Sequence, residues 1–294
     1  MSTMPFLALP ACATAERLAT ARGEFAALRA EPTGPVRGTA LLVPGFTGSK
    51  EDFIALLEPL AAGGYRTVGY DQRGQYETGG PADQQAYALP ELAQDLRAVT
   101  EALAAEDGAG PVHLVGHSFG GFVAREAVLA AAEPLPWASL VLLSTGPGPI
   151  EAAEAARTKL LMDALPVLDL ETIWQIMQQM AGEEDGVTEA LAPEITAFLH
   201  RRWLANVPQS LLAMGERLIG QADRTAELAA VPLPKLYVSG ERDYAWPVEE
   251  QGSTAERLGV RHVVVTGAGH SPNAERPAET AAELLAFWSA ADAR

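Results

Sequence analysis

The sequence predicts an α/β protein whose parallel sheet is covered by helices. Short apolar runs alternate with helical patterns along most of the 294 residues. The central runs, TALLVPG (39–45) and ASLVLLSTG (138–146), are continuously apolar rather than alternating, as strands buried on both faces are. The connections between runs and helical patterns are short, which suits parallel strands joined by crossover helices.

Taken in order, Arg17–Ala21 and Glu24–Ala30 read as an opening hairpin around Gly23. Further strands are expected at Thr39–Val43, Thr67–Tyr70, Val112–Val115, Leu140–Leu143, Lys235–Ser239 and His262–Thr266. Helical patterns lie between them at Ser49–Ala62, Leu89–Ala105, Phe119–Ala132, Glu249–Leu258 and Pro277–Ala291. The first of these opens with Ser49 and Asp52 at capping-box spacing. From about Gly146 to Ala230 the rhythm stops. This stretch carries only helical patterns, among them TIWQIMQQM and PEITAFLHRRWLANVPQSLLAMGERLIG. The expected organisation is a core domain of residues 1–145 and 231–294, with residues 146–230 as an all-helical cap over the carboxyl ends of the strands.

Composition excludes several roles. A formal charge of −17 repels phosphate backbones and anionic lipid, so neither nucleic acid nor a membrane surface is an expected partner. Cys12 is the only cysteine, so no internal disulfide can form, and a cytoplasmic setting is expected. The start, MSTMPFLALPACATA, lacks a positive n-region and reads as a loose tail rather than a signal peptide. No run of about 18 apolar residues is present.

Chemistry is concentrated in GHSFG (116–120), which has the form G-x-S-x-G between a strand run and a helical run. Such a turn holds the serine in a strained conformation with its Oγ projecting from the sheet, at a helix N-terminus that favours developing negative charge. A serine hydroxyl needs a base. Of five histidines, His113 falls within a strand, His117 points away across the turn, His200 lies beside Arg201 and Arg202 on a solvated helix face, and His262 opens the last strand. His270, in a glycine-rich loop after that strand, is the candidate base. The orienting carboxylate is expected at Asp243, in the loop after KLYVSG, with Glu241 as its near competitor. Backbone N–H groups of Phe119 and of Phe46, after Gly45, are the expected oxyanion donors.

LLVPGFTGS, YDQRGQ, GHSFGG, SGERD and GAGHSPNAERP stand in the order and at the separations found in the α/β-hydrolase superfamily. The chain resembles that superfamily from about Arg17 to Ala291. The resemblance implies an α/β-hydrolase fold: a mostly parallel eight-stranded sheet flanked by helices, with a helical cap after strand 6. It also implies acyl-enzyme chemistry by Ser118, His270 and Asp243. Asp71 and Arg73 of DQRG match a family signature and are expected to bond loop backbone. Where many members have His-Gly before the oxyanion residue, this chain has Pro44-Gly45. The HGGPG loop of proline iminopeptidases is absent, and Ser118 replaces the nucleophilic aspartate of haloalkane dehalogenases and epoxide hydrolases.

These features lead to an expected carboxylic-ester hydrolase acting on an apolar to medium-sized small molecule, such as an ester, thioester or lactone. No cofactor or metal is called for. Phe46, Phe119, Trp174, Met177, Tyr244 and Trp246 are the expected substrate contacts. C–C bond hydrolysis, acyl transfer, or ligand binding without turnover are the alternatives. Oligomeric state is not legible.

Overall fold

In a computed structural model, the description covers residues 2–184 and 191–293, without side-chain detail at 181–184. The chain opens with a hairpin, β1 (Ala13–Thr20) and β2 (Gly23–Ala30), turning at Gly23, whose φ is 118°. There follow β3 (Gly38–Val43), α1 (Ile54–Ala62), β4 (Tyr65–Tyr70), α2 (Leu89–Ala104), β5 (Val112–His117), α3 (Phe119–Ala130) and β6 (Ser139–Leu143). Beyond β6 come α4 (Ala152–Ala164), α5 (Leu170–Glu184), α6 (Pro193–Leu204), α7 (Pro208–Gly220) and α8 (Thr225–Ala229). The chain returns to the sheet with β7 (Lys235–Gly240), α9 (Val248–Leu258), β8 (His262–Val265), the short α10 (Pro272–Glu275) and α11 (Pro277–Asp292).

The eight strands form one sheet in the order β1-β2-β4-β3-β5-β6-β7-β8. The β1–β2 and β2–β4 pairings are antiparallel and the rest parallel. Helices cover both faces, which is why β3, β4, β5 and β6 are buried at every position. On one face α1, the residue before it and α11 bring Phe53, Leu56, Leu60, Leu284 and Trp288 against the sheet. On the other, α2, α3 and α9 contribute Leu92, Leu96, Phe122, Val123 and Leu258. The buried positions of α2 recur every three or four residues, the stripe by which an amphipathic helix covers a sheet.

Three local expectations change. The start of the chain is not a loose tail: β1 begins at Ala13 and pairs along its whole length with β2, and Met4 is buried among Leu28, Ile54, Trp174 and Trp203. Ser49 and Asp52 do not form a capping box. Ser49 precedes a turn of 3-10 helix (Lys50–Phe53) without a side-chain cap, and both side chains are instead hydrogen-bonded to Arg202 of α6. The pattern from Pro193 to Gly220 is two helices, because the chain breaks at Asn206 and Val207. Asn206 Nδ2 binds the Arg202 and Trp203 carbonyls, and Pro208 starts α7 at a position that needs no N–H. The segment between β6 and β7 is helical through α4–α8; residues 185–190 of the expected 146–230 cap lie outside the described residues.

Among the described residues, no helix is long and apolar enough to cross a membrane.

Candidate active site

The turn from β5 into α3 holds Ser118 at φ 54°, ψ −122°, a conformation non-glycine residues rarely adopt. It is locked from both sides: Ser118 N–H donates to Leu143 O (2.9 Å), and Gly121 N–H donates to Ser118 O (2.9 Å). Gly120 is required by close packing, because a Cβ there would lie 2.2 Å from Val43 O. On the neighbouring loop, a Cβ on Gly45 would lie 2.9 Å from Ser118 Cβ. The bare glycine therefore lets the PGF turn press against the serine. Phe119 N–H, at the first helical position, has no intrahelical partner. Phe46 N–H likewise makes no hydrogen bond among the described residues.

Later loops bring the other two groups. Ser118 Oγ lies 3.0 Å from His270 Nε2, and His270 Nδ1 lies 2.8 Å from Asp243 Oδ1. Because Nδ1 faces a carboxylate it carries the proton, which leaves Nε2 to accept from the serine hydroxyl. The Asp243 side chain is buried and accepts from four donors, the His270 ring, the Ala245 N–H (2.9 Å), the Trp246 N–H (3.4 Å) and Gln251 Nε2 (2.9 Å). Burial pushes its carboxyl up, but the His270 and Gln251 hydrogen bonds and the histidine's field outweigh this, so Asp243 stays below the usual aspartate range. Glu241, the competing acid, is engaged elsewhere and accepts from Gly267 N–H at 2.8 Å.

Supporting residues that local pattern did not single out hold this chain in place. Gln251 Nε2 bridges Asp243 Oδ2 and Trp246 O (2.8 Å). Glu275 accepts from Gly269 N–H (2.5 Å) and Ser271 N–H (2.9 Å), gripping the His270 loop on both sides of the histidine. The only cue in the sequence is position: Gln251 lies on the helix that follows the Asp243 loop, and Glu275 on the one that follows the His270 loop. Asp71 bonds loop backbone as expected, whereas Arg73 chiefly pairs with the Asp95 carboxylate (2.6 and 2.7 Å) and makes one backbone bond besides. Asp71 accepts from Lys50 N–H (2.7 Å) and Glu77 N–H (3.1 Å), and Arg73 donates to Arg22 O (3.2 Å).

The other histidines are structural. His113 is buried with Nδ1 2.9 Å from Ser139 Oγ, His262 meets Ser239 Oγ at 2.9 Å, and His200 meets Glu171 Oε2 at 2.6 Å. His117 is the informative one. Its Nε2 donates to the His270 carbonyl (2.9 Å), which fixes the tautomer, and Nδ1 is buried with no partner among the described residues. Burial first, then the charge of His270, pushes its pKa down to about 3. A histidine depressed in the folded state binds its proton more strongly when unfolded, near 6.5. Its contribution to stability is thus complete above pH 6.5 and is lost as pH falls toward 3. Between pH 6.5 and 4.5, wild type is expected to lose about 2 kcal/mol more than His117→Gln, at ~1.4 kcal/mol per pH unit. Urea unfolding of both proteins at the two pH values measures this; parallel losses would refute it.

A cavity of about 390 Å³ opens at Ser118. Phe46, Met177 and Tyr244 line it as expected, together with Gly45, His117 and His270. Phe119, Trp174 and Trp246 do not. Phe119 and Trp246 each pack edge-on against Phe122, Trp246 also lying beside the His270 ring, and Trp174 packs on the His200 ring. Residues of α4 and α5 supply most of the remaining wall, among them Leu160, Leu161, Ala164, Ile173, Ile176 and Met180.

A mostly parallel eight-stranded sheet with a serine at a strand–helix turn, and with histidine and acid on later loops, defines an α/β-hydrolase fold. The sequence profile of the Alpha/beta hydrolase family matches residues 40–283, and the chain belongs to that family. It is 25% identical to epoxide hydrolase A of Mycobacterium tuberculosis (strain ATCC 25618 / H37Rv), over 90% of this chain and 93% of that protein. Among solved structures it is similar to a thermophilic esterase from Thermogutta terrifontis (TM-score 0.71, 22% identity, 95% of this chain and 99% of that one). It is also similar to an esterase from Exiguobacterium antarcticum (0.74, 18%, 93% and 99%) and a bromoperoxidase from Bacillus anthracis (0.72, 19%, 94% and 100%).

Proposed function

We propose that this hydrolase cleaves carboxylic esters, thioesters or lactones of apolar small molecules through an acyl-enzyme. The observation that carries the reading is the continuous hydrogen-bonded series from Ser118 Oγ through both nitrogens of His270 to the buried Asp243 carboxylate, opening on a largely apolar cavity. In this reading His270 Nε2 takes the Ser118 proton as Oγ adds to the acyl carbon. The charge that grows on the carbonyl oxygen is met by the Phe46 and Phe119 N–H groups. Asp243 stabilises the imidazolium, which then gives its proton to the departing alkoxide or thiolate. Water, deprotonated by the same nitrogen, adds to the acyl carbon and releases acid and serine.

The names of the Thermogutta and Exiguobacterium esterases support this direction. The epoxide hydrolase relative does not redirect it, since Ser118 offers a hydroxyl rather than a carboxylate. The α4–α8 segment acts as the cap that shapes the substrate, and the single cysteine suits a cytoplasmic setting. The test is direct: a fluorophosphonate should label Ser118, and p-nitrophenyl esters should be hydrolysed. Absence of both would sink the ester reading.

A further inference from the structure

The cavity has two unlike sides. Near Tyr244 it is polar, with Glu154 and Arg157 of α4 paired at 2.6 Å. Away from that pair lies the stretch lined by both α4 and α5, a mostly aliphatic groove with Leu160, Leu161, Ile173, Ile176, Met177 and Met180 in its walls. Along α5 the lining positions pass from Ile173, 3% exposed, through half-buried Met177, to Ile176 at 41% and Met180 at 45%. Leu160 of α4, 62% exposed, faces the same groove. A single apolar track thus runs from Ser118 to the surface. Its walls are aliphatic, and the unbranched Met177 and Met180 side chains can adapt to an alkyl chain laid along them.

We infer that the substrate carries one unbranched alkyl chain of about eight carbons, which lies in the α4–α5 groove with its ester at Ser118. This rests on the ester-hydrolase reading and adds to it the shape of one substituent. The length follows from geometry. From Ile173 to Met180 the helix advances roughly 10 Å at 1.5 Å per residue. An extended alkyl chain advances ~1.3 Å per carbon, from bonds near 1.5 Å, so about eight carbons span the groove. The chain in the groove is uncharged, because the leucine, isoleucine and methionine side chains there offer a charge no partner.

Two series of esters test the proposal and tell which side of the ester bears the chain. One varies the acyl group of p-nitrophenyl esters from C2 to C12; the other varies the alcohol of n-alkyl acetates. In one of them kcat/KM should rise two- to fourfold per methylene, as transfer of CH₂ from water allows, and level off near C8. Ile176→Glu and Met180→Glu should each cut the C8-to-C2 ratio at least tenfold. Val264→Glu, an equally exposed apolar site on β8, should leave that ratio unchanged. Flat series, or a ratio insensitive to Ile176→Glu and Met180→Glu, would overturn the inference.

A binding measurement separates this from the catalytic reading. In Ser118→Ala, calorimetric titration with uncharged methyl n-alkyl ketones should show Kd tightening with each carbon to about C8. Tightening without turnover in wild type would fail the ester reading and keep the groove. Constant Kd with turnover of short esters would do the reverse. A concentration-dependent dimer dispersed by Met180→Glu, together with constant Kd, would assign the groove to a second copy and overturn the inference as well.

Discussion

Ser118→Ala is expected to lower kcat for ester hydrolysis by about four to six orders of magnitude, with KM little changed and the fold intact. The large loss follows from the role in the proposed mechanism: without Oγ no acyl-enzyme forms, and only the amide donors and the cavity remain to help water attack. The intact fold follows from the contacts, because among the described residues the Ser118 side chain hydrogen-bonds only to His270. Its backbone conformation stays locked by Leu143 O and Gly121 N–H, which alanine leaves in place. His270→Ala should cost a similar factor, and the double variant little more, because the two groups act on one proton transfer. Steady-state kinetics on the three variants, with circular dichroism alongside, provides the measurement. A double variant much slower than either single variant would mean that Ser118 and His270 act in separate steps.

The second large effect concerns stability. Arg202 of α6 is fully buried and donates to the equally buried Asp52 at 2.6 Å, to Ser49 Oγ at 3.4 Å and to Ser2 O at 3.0 Å. Arg202→Met leaves Asp52 as a carboxylate in the interior with its cation gone, and breaking such a pair costs about 3–5 kcal/mol. That is a large part of the 5–15 kcal/mol typical of a folded protein. Asp52→Leu added to Arg202→Met should restore most of the loss, since two apolar side chains need no counter-charge. Burial already pushes the Asp52 carboxyl up in the wild type, against the pull of Arg202, and losing Arg202 pushes it further. A carboxyl raised in the folded state contributes stability below its unfolded value near 3.8 and loses it as pH rises through the folded one. The penalty in Arg202→Met should therefore shrink as pH falls toward 4. Urea midpoints of the single and double variants at pH 7 and 4.5 check both statements. A double variant no more stable than the single would show that the clamp acts through packing, not charge.

What the sequence made legible is what depends on neighbours along the chain. The strands β3 to β7 are readable because burial on both faces leaves continuous apolar runs. The serine turn is readable because it needs glycine at fixed offsets. Asp243 and His270 are readable because each follows a recognisable strand in a loop on the carboxyl side. Interactions set by distant partners were hidden. Ser49 and Asp52 have the spacing of a local cap, yet their partner is Arg202, some 150 residues later. β1 extends back to Ala13 because β2 supplies its hydrogen bonds, not because ACATA has strong strand character. The aromatics divided on the same ground. Periodicity places Trp174 on a helix, but only the packing of α5 against α6 turns it toward His200 and leaves Met177 facing the cavity.

The same long separations bear on how activity is gained during folding. Ser118 and His270 are 152 residues apart in the chain, and Ser2 touches Ser271 across 269. The β1–β2 hairpin and the helices need only local closure, whereas the serine meets its base only after β7 and β8 have docked. Recovery of the proposed ester hydrolysis on refolding should accordingly lag behind recovery of the far-ultraviolet helical signal. The hydrogen-bonded series at the serine thereby serves as an internal reporter of the last tertiary contacts to close.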